Sequence, residues 1–115
     1  MHSFFEADLV IVASPVYLLS YPAPLKALFD RFQRFYSARF RRGILKPVAK
    51  PKKSVLLLTA GSDGAEAKEI IEAQTKRAFS VMNTTIIGTV LADNTDTEPL
   101  LPAALQQAYL LAKSL

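Results

Sequence analysis

The sequence predicts an α/β domain built on a small parallel sheet, in the order β-α-β-α-β-α. Three observations predict it. Short, charge-free apolar runs occur at Leu9–Ala13, Val55–Thr59 and Thr85–Leu91. Segments with helical apolar spacing alternate with them. Proline, glycine or small polar residues punctuate the points where each strand hands over to a helix. Strands that alternate with helices imply parallel pairing through right-handed crossovers.

The first strand, Leu9–Ala13, is apolar without interruption, as suits a parallel strand covered on both faces. A turn follows over Ser14–Tyr21. The first helix starts at Pro22 or Pro24, because proline is tolerated in a first helical turn. Leu25, Leu28, Phe29, Phe32, Phe35 and Tyr36 recur at helical spacing along it, and it ends near Ala38. Arg39–Lys53 is a basic connection broken by Gly43, Pro47 and Pro51. The second strand is Ser54–Ala60. Gly61-Ser62-Asp63-Gly64 then leads into a helix over Ala65–Met82, capped by Asp63 or Ser62. The third strand is Thr85–Leu91, followed by a polar loop at Asp93–Thr97. Pro99 or Pro102 opens the last helix, which runs to about Lys113. Ile70, Ile71, Val81, Leu101, Leu105, Leu111 and Leu115 mark the faces of the last two helices expected to pack on the sheet.

At 115 residues the chain is a single domain or part of one, and half of its residues are hydrophobic, enough for a packed core. It has no cysteine. That excludes disulfides, thiol catalysis and cysteine-ligated clusters, and it fits a cytoplasmic location. No apolar run approaches membrane-spanning length. The formal charge of +4 is unevenly placed: nine of the fourteen basic residues lie between Arg31 and Lys53, with no carboxylate among them. A solvated connection is the plainer reading of that cluster. Attraction of an anionic cofactor or of nucleic acid is the alternative.

Ala7-Asp8 before the apolar run, Ser14-Pro15-Val16-Tyr17 after it, and Pro22-Ala23-Pro24-Leu25-Lys26 through Asp30-Arg31 form one continuous pattern. It resembles the third strand, turn and helix of the NAD(P)H-dependent FMN reductases, which are flavodoxin-like flavoproteins. The later strands and helices follow in the order of the second half of that fold. The resemblance implies a partial flavodoxin-like α/β/α layering over residues 1–115, with a three-stranded sheet. The family's first strand, phosphate-binding loop and second strand have no counterpart. In the order 2-1-3-4-5 the flavin lies between strands 1 and 3, so one wall of that crevice is expected and the other is not.

By the same resemblance, Ser14, Pro15, Val16 and Tyr17 border the isoalloxazine ring, with Tyr17 stacking on it. Ala60, Gly61, Ser62 and Gly64 line its other edge. The plainer reading makes both loops ordinary strand-to-helix turns. The second is not a P-loop, since no Gly-Lys-Ser/Thr follows. Lys26 and Asp30 suit an exposed pair worth only about 0.3–0.5 kcal/mol. His2 sits near a terminus and is not expected to act in catalysis. No protein nucleophile or metal ligand set is expected, because the flavin carries the hydride chemistry.

The leading expectation is therefore an FMN-dependent oxidoreductase using NAD(P)H, with FMN held weakly or not at all in the absence of a phosphate loop. One alternative is a non-catalytic, truncated assembly module of the same fold. A lower-ranked one is a basic nucleic-acid-binding domain; no specific nucleic-acid partner is expected. The uncharged Leu9–Ala13 strand would lie at a sheet edge with nothing to deter pairing, so a homodimer or larger assembly through that edge is expected. No membrane partner is expected.

Overall fold

A computed structural model describes residues 4, 6–37, 50–97 and 102–115. It contains strands β1 (Leu9–Pro15), β2 (Lys52–Thr59) and β3 (Thr84–Ala92), and helices α1 (Ala23–Tyr36), α2 (Ala65–Ser80) and α3 (Pro102–Lys113). The three strands form one parallel sheet in the order β1-β2-β3. The alternation read from the sequence is thus realised. His2, Arg39, Phe40, Arg41, Arg42, Gly43, Lys46, the helix end at Ala38, Pro99 and Leu101 lie outside the described residues.

Side chains alternate across a strand, and this sorts the helices onto two faces. Leu56 and Leu58 of β2 share a cluster with Val12, Phe32 of α1, and Ile71 and Phe79 of α2. Leu57 points the opposite way, into a second cluster with Val90, Ala92 and Ala104 of α3. So α1 and α2 cover one face, and α3 covers the other over β3. The larger cluster is aromatic at its base. The Phe4 ring meets Phe32 and Phe79 edge-on or tilted, with centroids 5.6 and 5.7 Å apart.

Pairing between β1 and β2 is continuous from Leu9↔Lys53 to Pro15↔Thr59. Between β2 and β3 the register jumps: Ser54 pairs with Ile86, but Val55 pairs with Gly88. Ile87 is the extra residue of a bulge. The bulge explains why Ile86 and Leu91, five positions apart, pack into the same cluster. Beyond it, Gly88 gives room to α3. A Cβ there would stand 2.8 Å from a methyl carbon of Leu111.

Four expectations need correction. First, β1 is covered on one face only. Val12 and Ser14 are buried, whereas Ile11 is 56% exposed and Ala13 and Pro15 are also exposed, because no helix among the described residues lies over that side. Second, β1 runs on to Pro15, so Ser14 and Pro15 belong to the strand. Third, β2 begins at Lys52, and Lys52 is buried rather than part of a solvated connection. Its Nζ donates to the carbonyls of Lys50 and Met82 and sits over the Phe4 ring. Burial, helped by nearby Lys50, holds its ammonium below the usual lysine range. Fourth, Leu105 and Leu115 do not pack on the sheet. The inner stripe of α3 is Ala104, Ala108 and Leu111, and Leu105, about 100° round the helix from Ala104, is 55% exposed. The α2 boundary also differs: it ends at Ser80, and Val81 and Met82 are buried in the turn that follows.

Ser54 sits in the middle strand with no exposure, and its hydroxyl has no hydrogen-bond partner among the described residues. An orphaned buried hydroxyl costs about 1–3 kcal/mol. Ser54→Ala is expected to raise stability by about 1 kcal/mol, measured as a higher urea midpoint with an unchanged slope.

Candidate functional site

Three loops leave the carboxyl end of the sheet, where open α/β folds place their ligands. They are residues 16–22 after β1, 60–64 after β2 and 93–97 after β3. The first is tied to the end of β2: the Val16 amide donates to the Thr59 carbonyl at 2.8 Å, one bond beyond the β1–β2 pairing. The second and third are laced together. The Asn94, Thr95 and Asp96 amides donate to the Ser62, Ala60 and Gly61 carbonyls at 2.9, 3.1 and 3.0 Å. Asp93 accepts from the Gly64 amide at 3.2 Å, and Asp63 accepts from the Ala65 amide at 3.0 Å. The cap of α2 is therefore Gly64 assisted by two carboxylates, Asp63 among them; Ser62 takes no part in it.

The fold brings all eight candidate residues to this end. Ser14 is buried, and its hydroxyl donates to the Pro15 carbonyl at 2.8 Å, inside the strand. Pro15 ends β1, and Val16 is half-buried. Tyr17 is 62% exposed, its ring open to solvent. Ala60 is buried, and its carbonyl also accepts from the Thr95 hydroxyl. A Cβ on Gly61 would collide with the Asp96 carboxylate, and one on Gly64 would crowd Leu91 and Ala60. Both glycines thus stand in close quarters, Gly61 against a side chain of the third loop and Gly64 against Leu91 of β3 and Ala60. Ser62 is exposed.

Residue pattern alone carries no sign of the feature next to Tyr17. Tyr17 and Ser20 exchange two backbone hydrogen bonds, 2.9 and 3.0 Å, around Leu18 and Leu19. Both leucines have positive φ, 47° and 65°. Positive φ at both central residues defines a type I′ turn, which normally takes Asn-Gly. Each non-glycine residue in this region costs roughly 1–2 kcal/mol. Leu18 is 99% exposed and Leu19 44% exposed, so packing returns little. The turn holds because the residues after it are clamped to α2. The Ser20 hydroxyl donates to Gln74 Oε1 at 3.2 Å. The Tyr21 and Thr75 hydroxyls lie 2.6 Å apart, and Thr75 donates its own proton to the Ile71 carbonyl. Tyr21 is therefore the donor to Thr75. Its ring stacks on Phe29 at 5.0 Å.

The charges at this end are acidic. Residues 16–22, 60–64 and 93–97 contain Asp63, Asp93 and Asp96 and no lysine or arginine. Two of those carboxylates already occupy amides at the start of α2. Lys26, in the first turn of α1, is paired with Asp30 as the spacing implied. Two open grooves, about 720 and 750 Å³, lie elsewhere: one between α2 and β3, the other between α1 and α2. No group of acidic or histidine side chains able to hold a metal ion occurs among the described residues. Nor is any of their helices long and apolar enough to cross a membrane.

Comparison with known proteins bears on this end of the sheet. The family model described as NADPH-dependent FMN reductase matches residues 2–98. The FMN-dependent NADH:quinone oxidoreductase 2 of Colwellia psychrerythraea is 33% identical over 72 residues, 58% of this chain and 33% of that protein. An oxidoreductase from Corynebacterium diphtheriae superposes with a TM-score of 0.59 at 19% identity, over 97% of this chain and 53% of its own. The Trp repressor binding protein from Bacillus subtilis gives 0.59 at 17% identity, over 96% of this chain and 63% of its own. An NADPH-quinone reductase from P. pentosaceus gives 0.57 at 16%, over 96% and 67%. These three structures share the fold. The chain spans a third of the curated relative's length and just over half of the first structure's.

Two predictions follow from the turn and its clamp. Replacing Leu18-Leu19 by Asn-Gly should raise stability by about 1 kcal/mol, since it relieves strain at positions that bury little; thermal unfolding measures this. Burial pushes the Tyr21 phenol above its ordinary value of 10.0, against the smaller opposing effect of Thr75. The unfolded chain thus ionises first. Stability from this group is complete below pH 10 and falls as pH rises from there through the folded-state value. Urea titrations across that range should show the loss in the wild type and its absence in Tyr21→Phe.

Proposed function

The chain belongs to the NADPH-dependent FMN reductase family, and on that premise we propose that it serves flavin-dependent electron transfer from NAD(P)H, its carboxyl-end loops holding the flavin ring. The observation that carries this reading is the exposed Tyr17 ring at the carboxyl end of the sheet, in the loop that follows the last β1–β2 bond, from the Val16 amide to the Thr59 carbonyl. Open α/β folds bind their ligands at that end.

The residues fit one end of a flavin and not the other. An isoalloxazine is flat and largely apolar, and Tyr17 with Leu19 offers an exposed apolar surface at the mouth of β1. A phosphate needs free amides or basic side chains. The three loops carry three aspartates and no base, Asp63 and Asp93 occupy amides at the start of α2, and Pro22 and Pro24 lack amide hydrogens at the start of α1. A bound flavin would supply the hydride and electron chemistry. This chain's part is to offer a ring surface and the rigid turn that presents Tyr17. The relative named as an FMN-dependent NADH:quinone oxidoreductase favours a quinone as acceptor.

Fluorescence titration of FMN and of riboflavin with the purified chain tests the reading. Weak binding of both is expected, with affinities within about threefold of each other, because the ring alone is recognised. Tyr17→Ala should weaken both by about fivefold, the loss of one aromatic contact worth about 1 kcal/mol. Tight binding of FMN with rejection of riboflavin would require a phosphate site on this chain and overturn the division between ring and phosphate. Insensitivity to Tyr17→Ala would overturn its role at the ring.

A further inference from the structure

The turn after β1 holds strain that the fold itself does not use. It is the apex of a two-residue hairpin that starts one residue beyond the last β1–β2 bond, at Val16. Leu18 and Leu19 form the apex in left-handed backbone, with φ of 47° and 65°, where Asn-Gly would sit without that cost. Leu18 is the most exposed large hydrophobic residue described, at 99%, and the Tyr17 ring beside it is open as well. The Ser20–Gln74 and Tyr21–Thr75 bonds fasten the base of the hairpin to α2, so the apex is presented from a fixed support. Strain kept at exposed apolar residues points to a contact made outside the chain.

The surroundings of the apex are layered. From Leu9 to Leu25 the sequence carries no charged side chain. Helix α1 starts at Ala23 and, as the crossover between parallel strands, leads back from this end of the sheet. Its first two turns expose Ala23, Pro24, Ala27 and Leu28, and the Lys26 charge there is met by Asp30. Arg31 and Arg34 follow, both exposed, about 12 and 17 Å along the axis from Ala23. Apolar tip, neutral band and basic band thus succeed one another along one direction. The carboxylates of this end, Asp63, Asp93 and Asp96, belong to the loops after β2 and β3. Those strands lie about 5 and 10 Å across the sheet from β1, so the β1 corner itself is free of acid.

We propose that the Leu18-Leu19 apex inserts into a lipid surface, with Tyr17 at the interface and Arg31 and Arg34 at the level of anionic headgroups. Interfacial apolar groups sit about 5–10 Å into the headgroup boundary, which leaves charges set back by about 12 Å in the phosphate layer. A tyrosine suits that boundary, having an apolar ring and a polar end. The alternative occupant, a protein, fits less well. The apex is convex and offers only a few hundred Å² of apolar surface, against about 800 Å² per partner in a specific protein interface. A fluid surface accepts a small protruding tip without shape complementarity. The absence of a spanning apolar run led the sequence reading to expect no membrane partner; surface contact needs no such run. Lipid contact at Leu18 is independent of flavin binding.

Flotation of the purified chain with vesicles of phosphatidylcholine and phosphatidylserine in equal parts tests this. Binding is expected, and part of it should persist in high salt, where adsorption by charge alone is lost. Replacing Leu18-Leu19 by Asn-Gly preserves the turn and should weaken binding at least about tenfold, with Leu18→Asn alone giving most of the loss. Because the chain has no cysteine, Leu18→Cys carries a single polarity-sensitive dye, whose emission should shift to the blue on adding vesicles. Failure to float would overturn the proposal. So would equal flotation of the wild type and the Asn-Gly variant, which would leave charge as the whole attraction. A blue shift that grows with protein concentration in the absence of vesicles would give the apex to a second copy and overturn it too.

Discussion

Everything in this molecule hangs on β2. A three-stranded parallel sheet has one interior strand, and only that strand satisfies its backbone on both sides. Leu56 and Leu58 are its buried contribution to one face, and Val55 its contribution to the other. Both helical layers are positioned against them. The cost of so small a sheet is that two of its three strands have an unmet side. The protein deals with the two differently. At β3 the bulge breaks the regular row of donors and acceptors. At β1 nothing does.

The sequence was legible where the periodicities were strong. Leu9–Ala13, the Val55–Thr59 run and the spacing of Leu25, Phe29 and Phe32 were enough to place strands and helices in order. It was less legible where one residue answers to several neighbours. Lys52 reads as one more lysine in a basic run, yet it lies buried beneath Phe4 and satisfies two carbonyls. Leu105 reads as core, but Ala104 and Ala108 take the inner positions because a helix so close to the sheet has room only for small side chains there. The Leu18-Leu19 turn had no local signal, since leucine has no preference for that backbone; its cause is the clamp of Ser20 and Tyr21 on α2, which is far away in sequence.

The candidate site divides in the same manner. Its position followed from pattern alone, because loops at the carboxyl ends of parallel strands are where such folds bind. The reason for its glycines did not. Gly61 and Gly64 suggest a loop opened for a ligand, whereas in the fold they make room for Asp96 and Leu91. Asp93 and Asp96 tie the second loop to the third, giving this end rigidity and a negative field together.

The bulge at Ile87 also limits how the sheet can grow. A parallel sheet with two regular edges can add strands indefinitely, as fibrils do. Among the described residues the sheet has one regular edge, at β1, and one interrupted edge, at β3. Whatever joins at β1 ends the series, because the far side of each copy offers no second template. The irregularity of a single residue in β3 thereby sets the stoichiometry of events at β1, on the opposite side of the sheet.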